Sequence, residues 1–286
     1  SNPERVIDHS TGITKIELVR YYALVAPLMM PHLKGRPVAL VRAPQGLAGQ
    51  QFFQKHEEKA PITGLAKMDP AFYPGHEPML EVATGAGLAF CAQMNVIEFH
   101  TMNGARPNLS KPDRFVLDLD PGEGVSWPQI QEAAQLVRVL LTELDLPVYL
   151  KTSGGKGLHV VVPIKRLHTW EQVRDFSEAV VQHIAHTIPQ KFVAKSGPKN
   201  RVGKIFIDYL RNGWPQTTAC AWTARARDGM GISVPVRWEE LPALTGGAHW
   251  TIRDLHDRLD DGNAPWEGYD KAAKSLGPAM KRLGDA

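Results

Sequence analysis

The chain has 286 residues and a net charge of +3, and 43% of its residues are hydrophobic. This composition excludes a fibrous or disordered protein, and so mild a positive charge means that nucleic-acid binding would need local basic patches. The two cysteines, Cys91 and Cys220, lie far apart, which argues against a disulfide framework or a Cys-rich zinc module and agrees with a reducing cytoplasm. No apolar run approaches the ~20 residues of a membrane span, and the N-terminus lacks a signal-peptide pattern.

Residues 1 to about 110 are predicted to form an α/β lobe. Thr14 and Glu17 have the spacing of a capping box, which predicts a helix to about Met30, and residues 37–42 have the composition of a strand. Gly- and Pro-rich turns separate the other segments of this part of the chain.

Two aromatic residues and a histidine in this lobe are candidates for a site. Phe52 and Phe53 have polar neighbours in the sequence. Because adjacent side chains on a strand face opposite ways, we expect one ring to pack in the core and the other to be free. The free ring could stack on a base, a contact worth roughly 1–3 kcal/mol. His100 is more often a core or turn histidine than a site residue, and it stays a candidate.

From residue 114 onward the patterns follow the order βαββαβ. A strand at residues 115–120 precedes a helix that begins with a Ser126 to Gln129 capping box and ends near Leu144; strands at 147–152 and 158–164 follow. A second capped helix from Thr169 and a strand at 205–210 complete a ferredoxin-like, RRM-like motif. In its usual topology the first strand is central, flanked antiparallel by the third and fourth.

Three acids are predicted to meet on this sheet. Asp118 and Asp120 are two residues apart at a strand end and so share one face, and the topology brings Asp208 beside them. Alone, an Asp-x-Asp pair is more often a turn cap or a solvated pair. Together the three suit a two-metal site holding Mg or Mn, because hard oxygen ligands prefer those ions and a cation relieves the repulsion of close carboxylates.

The Gly-rich turn at residues 151–159 is predicted to bind a nucleoside triphosphate. It offers Ser153, Lys156 and His159 as donors, and amides freed by its glycines could form an anion nest. It is not a Walker A loop, because Leu150 replaces the first glycine and a hairpin follows instead of a helix. The alternative is an ordinary glycine hairpin.

A later hairpin at residues 223–238, turning over 228–229, would place Arg225 and Arg227 on one face of a strand. Guanidinium groups there could contact a triphosphate through paired hydrogen bonds, although a solvated surface is an equal alternative. Arg211 is a weaker candidate of the same type.

Several of these segments resemble one known family, the polymerase domain of bacterial ATP-dependent DNA ligase D, of the archaeo-eukaryotic primase superfamily. The resemblance rests on Leu-Asp-Leu-Asp-Pro at 117–121, Thr-Ser-Gly-Gly-Lys-Gly-Leu-His-Val at 152–160 and Ile-Asp-Tyr at 207–209. It extends over nearly the whole chain, through residues 21–22, 31–37 and 52–55, and is strongest for the Pseudomonas type.

The resemblance implies a single two-lobed domain over residues 1–286, with a palm lobe at about 111–240 and short helices at about 241–286. It implies a polymerase of non-homologous end joining that fills gaps and extends ends, favours ribonucleotides and uses two divalent cations, preferably Mn, with NTP or dNTP as substrate. The implied roles are metal binding by Asp118, Asp120 and Asp208; triphosphate contacts by Ser153 and His159; nucleotide contacts by Arg225, Arg227 and His100; base or template support by Phe52 or Phe53; and recognition of a DNA 5′-phosphate by Lys15 and Arg5.

The implied partners are DNA ends, gapped DNA, ligase and nuclease domains of the same full-length protein and the bacterial Ku end-binding protein. The implied location is the cytoplasm, at the nucleoid. Two alternatives stay open: a replicative primase, against which the lack of a Cys-rich zinc element counts mildly, and a DNA-end bridging module with little catalysis.

Overall fold

The computed structural model describes residues 2–57 and 61–284. Its strands in these ranges are β1 (Val6–Asp8), β2 (Ile13–Thr14), β3 (Val38–Arg42), β4 (Phe52–Gln54), β5 (Leu65–Lys67), β6 (Leu80–Val82), β7 (Val96–Thr101), β8 (Arg114–Pro121), β9 (Tyr149–Thr152), β10 (Leu158–Pro163), β11 (Phe192–Val193), β12 (Ile205–Asp208), β13 (Thr218–Ala219) and β14 (Pro235–Val236). Its α-helices are α1 (Lys15–Leu33), α2 (Gly85–Gln93), α3 (Trp127–Glu143), α4 (Trp170–Thr187), α5 (His256–Asp261), α6 (Tyr269–Ala272) and α7 (Gly277–Gly284). None of these helices is both long enough and apolar enough to cross a bilayer.

The palm sheet has the strand order β11-β12-β8-β10-β9-β14. Strand β8 is central, and both β12 and β10 run antiparallel to it, as the ferredoxin-like order predicted. Its side chains Phe115, Leu117 and Leu119 are buried with those of α3 and α4, which pack on this face. The alternate residues Asp118 and Asp120 therefore face away from the helices, because side chains along a strand alternate between faces.

Capping boxes define the starts of the three long helices, as the sequence predicted. The Glu17 side chain accepts a hydrogen bond from the Thr14 amide at 2.8 Å at the start of α1. The corresponding distances are 2.7 Å for Gln129 at the start of α3 and 2.9 Å for Gln172 at the start of α4. Each bond satisfies an amide that has no partner within the helix.

The second sheet has the order β13-β7-β3-β6-β5, with β4 paired to the edge of β3. Helices α1 and α2 share its core, to which Tyr22 and Phe99 contribute. The chain returns to this sheet after the palm: β13 pairs with β7, and Trp222 and Ile232 are buried in the same core. Residues 218–234, which lie in the part of the sequence assigned to the palm, thus help to build the N-terminal lobe.

The hairpin predicted at residues 223–238 forms only in part. A single bridge pairs Ala224 with Ile232, and the Arg225 amide donates to the Gly231 carbonyl at 2.9 Å. The later residues leave this pairing, and β14 joins β9 of the palm instead. The prediction of a continuous hairpin was wrong because the unpaired edge of β9 provides a competing partner.

Asn212 extends the palm ladder beyond the point where β12 ends. Strand β12 stops at Asp208, whose carboxylate accepts from the Leu210 amide at 2.8 Å and starts a 3-10 turn. The buried Asn212 side chain then accepts from the Val116 amide and donates to the Val116 carbonyl, both at 2.8 Å. It also accepts from Asn103 at 2.9 Å. One side chain thereby satisfies backbone groups of β8 at a point beyond the end of β12.

We predict that Asn212→Leu lowers the free energy of unfolding by about 2–5 kcal/mol, because it leaves buried Val116 and Asn103 groups unpaired at roughly 1–3 kcal/mol each. Urea titration followed by circular dichroism measures the change. Leu210→Ala, at a partly exposed position in the same turn, is the control and should stay within about 0.5 kcal/mol of wild type. A fully stable Asn212→Leu variant would contradict the bridging role.

Candidate active site

Two adjoining cavities form a cleft between the two lobes. The first measures about 420 Å³ and receives Phe52, Phe53 and His100 from the N-terminal lobe. The second measures about 340 Å³ and is lined by palm residues, including all three candidate acids. Residues common to both cavities are Asp118, Arg211, Arg225 and Arg227. Of the remaining sequence candidates, His159 lines the first cavity, and Ser153 and Lys156 line the second.

The strand register brings the three acids together. Asp118 on β8 is directly opposite Asp208 on β12, and Asp120 follows two residues later on the same face. Asp118 is also directly opposite His159 on β10. The acids therefore converge at the carboxyl end of β8, as the topology predicted.

The carboxylates repel one another in a partly buried setting. Burial, followed by the charges of Asp118 and Asp208, raises the pKa of Asp120 to about 6. Burial also raises the pKa of Asp208, with a contribution from Asp118. Burial would raise the pKa of Asp118 as well, but the adjacent His159 outweighs it and the pKa is lowered.

Each acid has a protein neighbour. Asp118 Oδ2 lies 3.3 Å from His159 Nε2, Asp120 Oδ2 lies 3.2 Å from a nitrogen of Arg201, and Asp208 Oδ2 lies 3.9 Å from Arg211 Nε. No three His, Cys, Asp or Glu side chains of residues 2–57 and 61–284 are arranged as a ready set of metal ligands. The chemistry of the acids nevertheless fits a hard divalent cation, because three oxygen donors with mutual repulsion gain from a shared positive charge.

The Gly-rich turn is organised from within. Ser153 Oγ accepts from the amides of Gly155 at 3.0 Å and Gly157 at 3.1 Å, and the Gly154 amide donates to the Gly247 carbonyl at 2.9 Å. These amides are engaged inside the protein, so the anion nest expected from the glycines does not form from them. The exposed Lys156 side chain of this turn lines the second cavity and brings a positive charge to the cleft.

Glycine is required at two positions of this turn. Gly154 has a φ of +74°, which residues with a side chain rarely adopt, and a Cβ there would lie 2.6 Å from the Arg225 side chain. A Cβ on Gly157 would lie 2.0 Å from the Leu119 carbonyl oxygen of β8. The structure thus explains Gly157 by its close approach to β8 and not by anion binding.

Glu98 holds the N-terminal wall of the cleft together, and the sequence reasoning missed it. Its carboxylate lies 2.6 Å from His100 Nε2, accepts from the Ala226 amide at 2.7 Å and lies 3.2 Å from Arg225 Nε. Burial would raise the pKa of Glu98, but the His100 hydrogen bond and the Arg225 charge lower it to about 2. A sequence pattern could have identified Glu98, because Glu98 and His100 have the same i, i+2 spacing on a strand as Asp118 and Asp120.

Both aromatic rings of β4 face the cleft. Phe52 is 45% exposed and Phe53 is 58% exposed, and both line the first cavity. The expectation that one ring would pack in the core was wrong, because β4 lies off the main path of the sheet, where it pairs with β3, and both rings are left exposed. The Phe53 ring lies 5.7 Å from the His100 ring, which itself has its pKa lowered by burial.

Arg225 and Arg227 reach the cleft from irregular backbone and not from one strand face. Arg225 donates to the Ser153 carbonyl at 2.7 Å and so connects the N-terminal lobe to the Gly-rich turn. Arg227 lies against Gly155, where a Cβ would come within 3.2 Å of its guanidinium. The predicted strand face was wrong, but both residues line both cavities.

Lys15 and Arg5 do not line either cavity. Lys15 is buried at the start of α1, and its amide donates to the Arg5 carbonyl at 2.9 Å. Burial, followed by the charge of Arg5, lowers the pKa of Lys15. The Arg5 side chain donates to Asn95 at 2.6 Å.

The sequence reasoning missed the contacts of two further basic residues, Arg201 in the cleft and Lys151 buried behind it. Arg201 lies in an irregular segment before β12, lines the second cavity and has a guanidinium nitrogen 3.2 Å from Asp120 Oδ2. Lys151 is the first residue of the Gly-rich turn, but the sequence did not predict its buried contact with His159. No periodic pattern in the sequence indicates either contact.

Comparisons with known proteins identify the family to which this chain is similar. A family model for the LigD primase-polymerase domain matches residues 14–266. The chain is 48% identical over 284 residues to the multifunctional non-homologous end joining protein LigD of Pseudomonas aeruginosa, which covers 99% of this chain and 34% of that protein. It is 34% identical over 265 residues to the LigD protein of Mycolicibacterium smegmatis, covering 91% of this chain and 34% of that protein. The chain thus spans about a third of the length of these relatives.

A solved structure is similar over nearly the whole fold. The polymerase domain from Mycobacterium tuberculosis ligase D, in complex with DNA, superposes with a TM-score of 0.85 at 30% sequence identity. The match covers 96% of this chain and 98% of that one. The mixed α/β architecture described above is therefore that of a polymerase domain.

The raised pKa of Asp120 predicts that folding stability depends on pH when divalent cations are removed. An Asp of the unfolded chain titrates near pH 3.9, whereas Asp120 titrates near 6 in the fold. The folded state therefore binds the proton more tightly, and the free energy of unfolding falls as pH rises from about 4 to 6. Asparagine does not titrate, so Asp120→Asn should not lose stability in this way. In EDTA, the difference in melting temperature between Asp120→Asn and wild type should therefore grow in favour of the variant as pH rises from about 4 to 6.

Thermal unfolding at several pH values measures this difference. Asp257→Asn, at an exposed acid of α5, is the matched control and should show no such trend. A difference between Asp120→Asn and wild type that stays constant from pH 4 to 7 would argue against the raised pKa.

Proposed function

Because the chain belongs to the LigD primase-polymerase domain family, we propose that it adds nucleotides to the 3′-hydroxyl of a DNA strand during repair of double-strand breaks by non-homologous end joining. Family membership makes it a nucleotidyltransferase and implies a nucleotide substrate and a divalent metal ion. The convergence of Asp118, Asp120 and Asp208 in a cleft lined by arginines is the observation that supports this function most strongly.

The acids would hold the metal. A divalent cation bound by Asp118, Asp120 and Asp208 would supply Lewis-acid stabilisation of the charge that develops on the phosphate. The reaction joins the 3′-oxygen of the primer to the α-phosphorus and releases pyrophosphate. We propose two ions, with Mn preferred and Mg accepted.

The cleft residues would bind the nucleotide from base to phosphates. Phe52 or Phe53 would stack on a base, which is worth roughly 1–3 kcal/mol, and His100 would contact the nucleoside from the neighbouring strand. Ser153, Lys156, His159 and the guanidiniums of Arg211, Arg225 and Arg227 would face the triphosphate. Arginine suits this role because its planar donors pair with phosphate oxygens.

The DNA substrate would be a break or gap with a 5′-phosphate, and Lys15 with Arg5 would bind that phosphate. The protein would fill gaps, add untemplated nucleotides at ends and prefer ribonucleotides. Ligase and nuclease domains of a longer protein and the Ku end-binding protein would be its partners, at the nucleoid in the cytoplasm. The solved mycobacterial relative is in complex with DNA, which supports DNA as the substrate.

Asp118→Asn and Asp208→Asn are each predicted to lower primer extension at least 100-fold, because losing a metal ligand forfeits several kcal/mol of charge stabilisation. Extension of a labelled primer in Mn measures the rate. A second readout is the rise in melting temperature that Mn gives wild type, which the variants should lack.

Asp257→Asn is again the control and should keep both properties. Substantial extension by either folded variant would remove that acid from the mechanism. A wild-type chain that binds DNA ends but incorporates no nucleotide would favour the bridging module instead.

Lys15→Ala is predicted to remove a preference for DNA with a 5′-phosphate. The phosphate monoester carries nearly two charges near pH 7, and an internal phosphodiester carries one, so close cations at a helix start distinguish an end from a continuous strand. Binding to gapped DNA with a 5′-phosphate or a 5′-hydroxyl is measured at fixed salt, since backbone affinity depends on salt.

Wild type should bind the phosphorylated gap several-fold more tightly, and the variant should bind both gaps equally. Lys271→Ala, an exposed lysine of α6, is the control for loss of a positive charge. Equal affinity of wild type for the two gaps would rule the role out.

A further inference from the structure

Asp8 is a fully buried carboxylate at the end of β1, and it lines neither cavity of the cleft. Its Oδ1 accepts from the Ser10 amide at 3.0 Å and from Ser10 Oγ at 2.6 Å. Its Oδ2 accepts from Thr11 Oγ1 and from the Gly229 amide, both at 2.8 Å. Burial would raise the pKa of Asp8, but these hydrogen bonds outweigh it and the pKa is lowered, so the group is ionised at neutral pH.

Only one of these four bonds leaves the N-terminal hairpin, which β1 and β2 form over residues 6–14. An aspartate commonly accepts from its own chain two residues further on, and the bonds from Ser10 and Thr11 are local in this sense. The Gly229 amide belongs to a segment 221 residues away. Closure of the hairpin therefore accounts for the bonds to Oδ1, but it does not account for the bond between Oδ2 and Gly229.

Gly229 lies in a turn over residues 227–230. The Met230 amide donates to the Arg227 carbonyl at 2.8 Å, which is the turn's own hydrogen bond. The Gly229 amide takes no part in that bond, and Asp8 accepts its proton from outside the turn. Gly229 has a φ of +86°, which residues with a side chain rarely adopt. The carboxylate thus holds the peptide unit that gives this turn its shape.

The same turn presents Arg227 to the cleft. Just before Arg227, the Ala226 amide donates to Glu98 at 2.7 Å, and just after it Asp8 holds the turn. The Arg227 side chain is exposed and lines both cavities. Its guanidinium lies 3.2 Å from the position that a Cβ on Gly155 would take. The backbone of Arg227 is therefore held on both sides while its side chain reaches toward the Gly-rich turn.

Resting on the proposed function, in which Arg227 faces the triphosphate, we propose that Asp8 is a positioning residue for nucleotide binding: its carboxylate holds the 227–230 turn against the N-terminal hairpin, so that Arg227 projects toward the Gly-rich turn. A guanidinium held near its binding position loses less freedom when it pairs with phosphate oxygens. Removal of the carboxylate would release the turn on the Gly229 side. Nucleotide affinity would then fall, whereas the acids on β8 and β12 would stay in place.

Steady-state primer extension separates this role from a general loss of structure. Asp8→Ala should raise the KM for the nucleotide about fivefold and keep kcat within about twofold, because the contact acts on binding. Thr11→Val is the matched control: it removes the other donor to the same carboxylate oxygen and leaves the Gly229 contact, so its KM should stay within about twofold of wild type. In an Arg227→Ala background, Asp8→Ala should add little, because both changes act through one contact.

The Gly229 amide reports the contact directly, without catalysis. In the ¹⁵N-labelled chain, this amide should exchange with solvent about tenfold more slowly in wild type than in Asp8→Ala, and Thr11→Val should keep the protection. The Gly229 signal of wild type should shift when a non-hydrolysable ATP analogue is added in Mg. Adenosine should not shift it, because Arg227 in the same turn would contact phosphate and not the base.

An unchanged nucleotide KM in a folded Asp8→Ala variant would overturn the proposal, and so would fully additive effects with Arg227→Ala. Equal rises of KM in Asp8→Ala and Thr11→Val would show that Asp8 only closes its own hairpin, which overturns it too. If Asp8→Ala fails to fold, wild type decides: a rapidly exchanging Gly229 amide, or a Gly229 signal that the ATP analogue leaves unchanged, overturns the proposal. Extension by the folded Asp118→Asn variant would refute the proposed function while leaving the result for Gly229 standing.

Discussion

The register of one row of residues across three antiparallel strands positions the candidate site of this protein. Asp118 is directly opposite both His159 on β10 and Asp208 on β12. A shift of one residue in either pairing would turn a functional side chain into the helix-packed core, since side chains alternate along a strand. Burial of Leu117 and Leu119 among the helices therefore enforces the position of the acids as well as the stability of the sheet.

The cleft around this row combines buried charges of both signs. Glu98 pairs with Arg225, and Asp120 pairs with Arg201, so each charge depends on a partner that other elements supply. Removing one partner of the buried Glu98–Arg225 pair is expected to cost about 3–5 kcal/mol, because it leaves the other charge uncompensated. Asp120 and Arg201 are partly exposed, so their pair contributes less. Arginines that would bind a triphosphate are thus already paired with carboxylates inside the protein.

The path of the chain connects the two lobes through shared strands and a shared core. After the palm strands, residues 218–234 return to the N-terminal lobe, and β14 then pairs with β9 of the palm. Arg225 and Ser233 lie on this path and bond to Ser153 and Lys151. A nucleotide between the lobes would therefore touch groups whose positions are coupled through this segment.

Local patterns in the sequence determined the palm and its acids. The two-residue period of β8, the helical periods of α3 and α4 and their capping boxes are properties of neighbouring residues, and together they dictate a βαββαβ order in which Asp118, Asp120 and Asp208 converge. The tertiary structure alone decided the exposure of both Phe52 and Phe53, the internal use of the glycine amides and the pairing of Glu98 with Arg225. It also decided that Lys151 bonds to His159, because these contacts join residues whose proximity depends on how strands pair and lobes meet, and no local period encodes that.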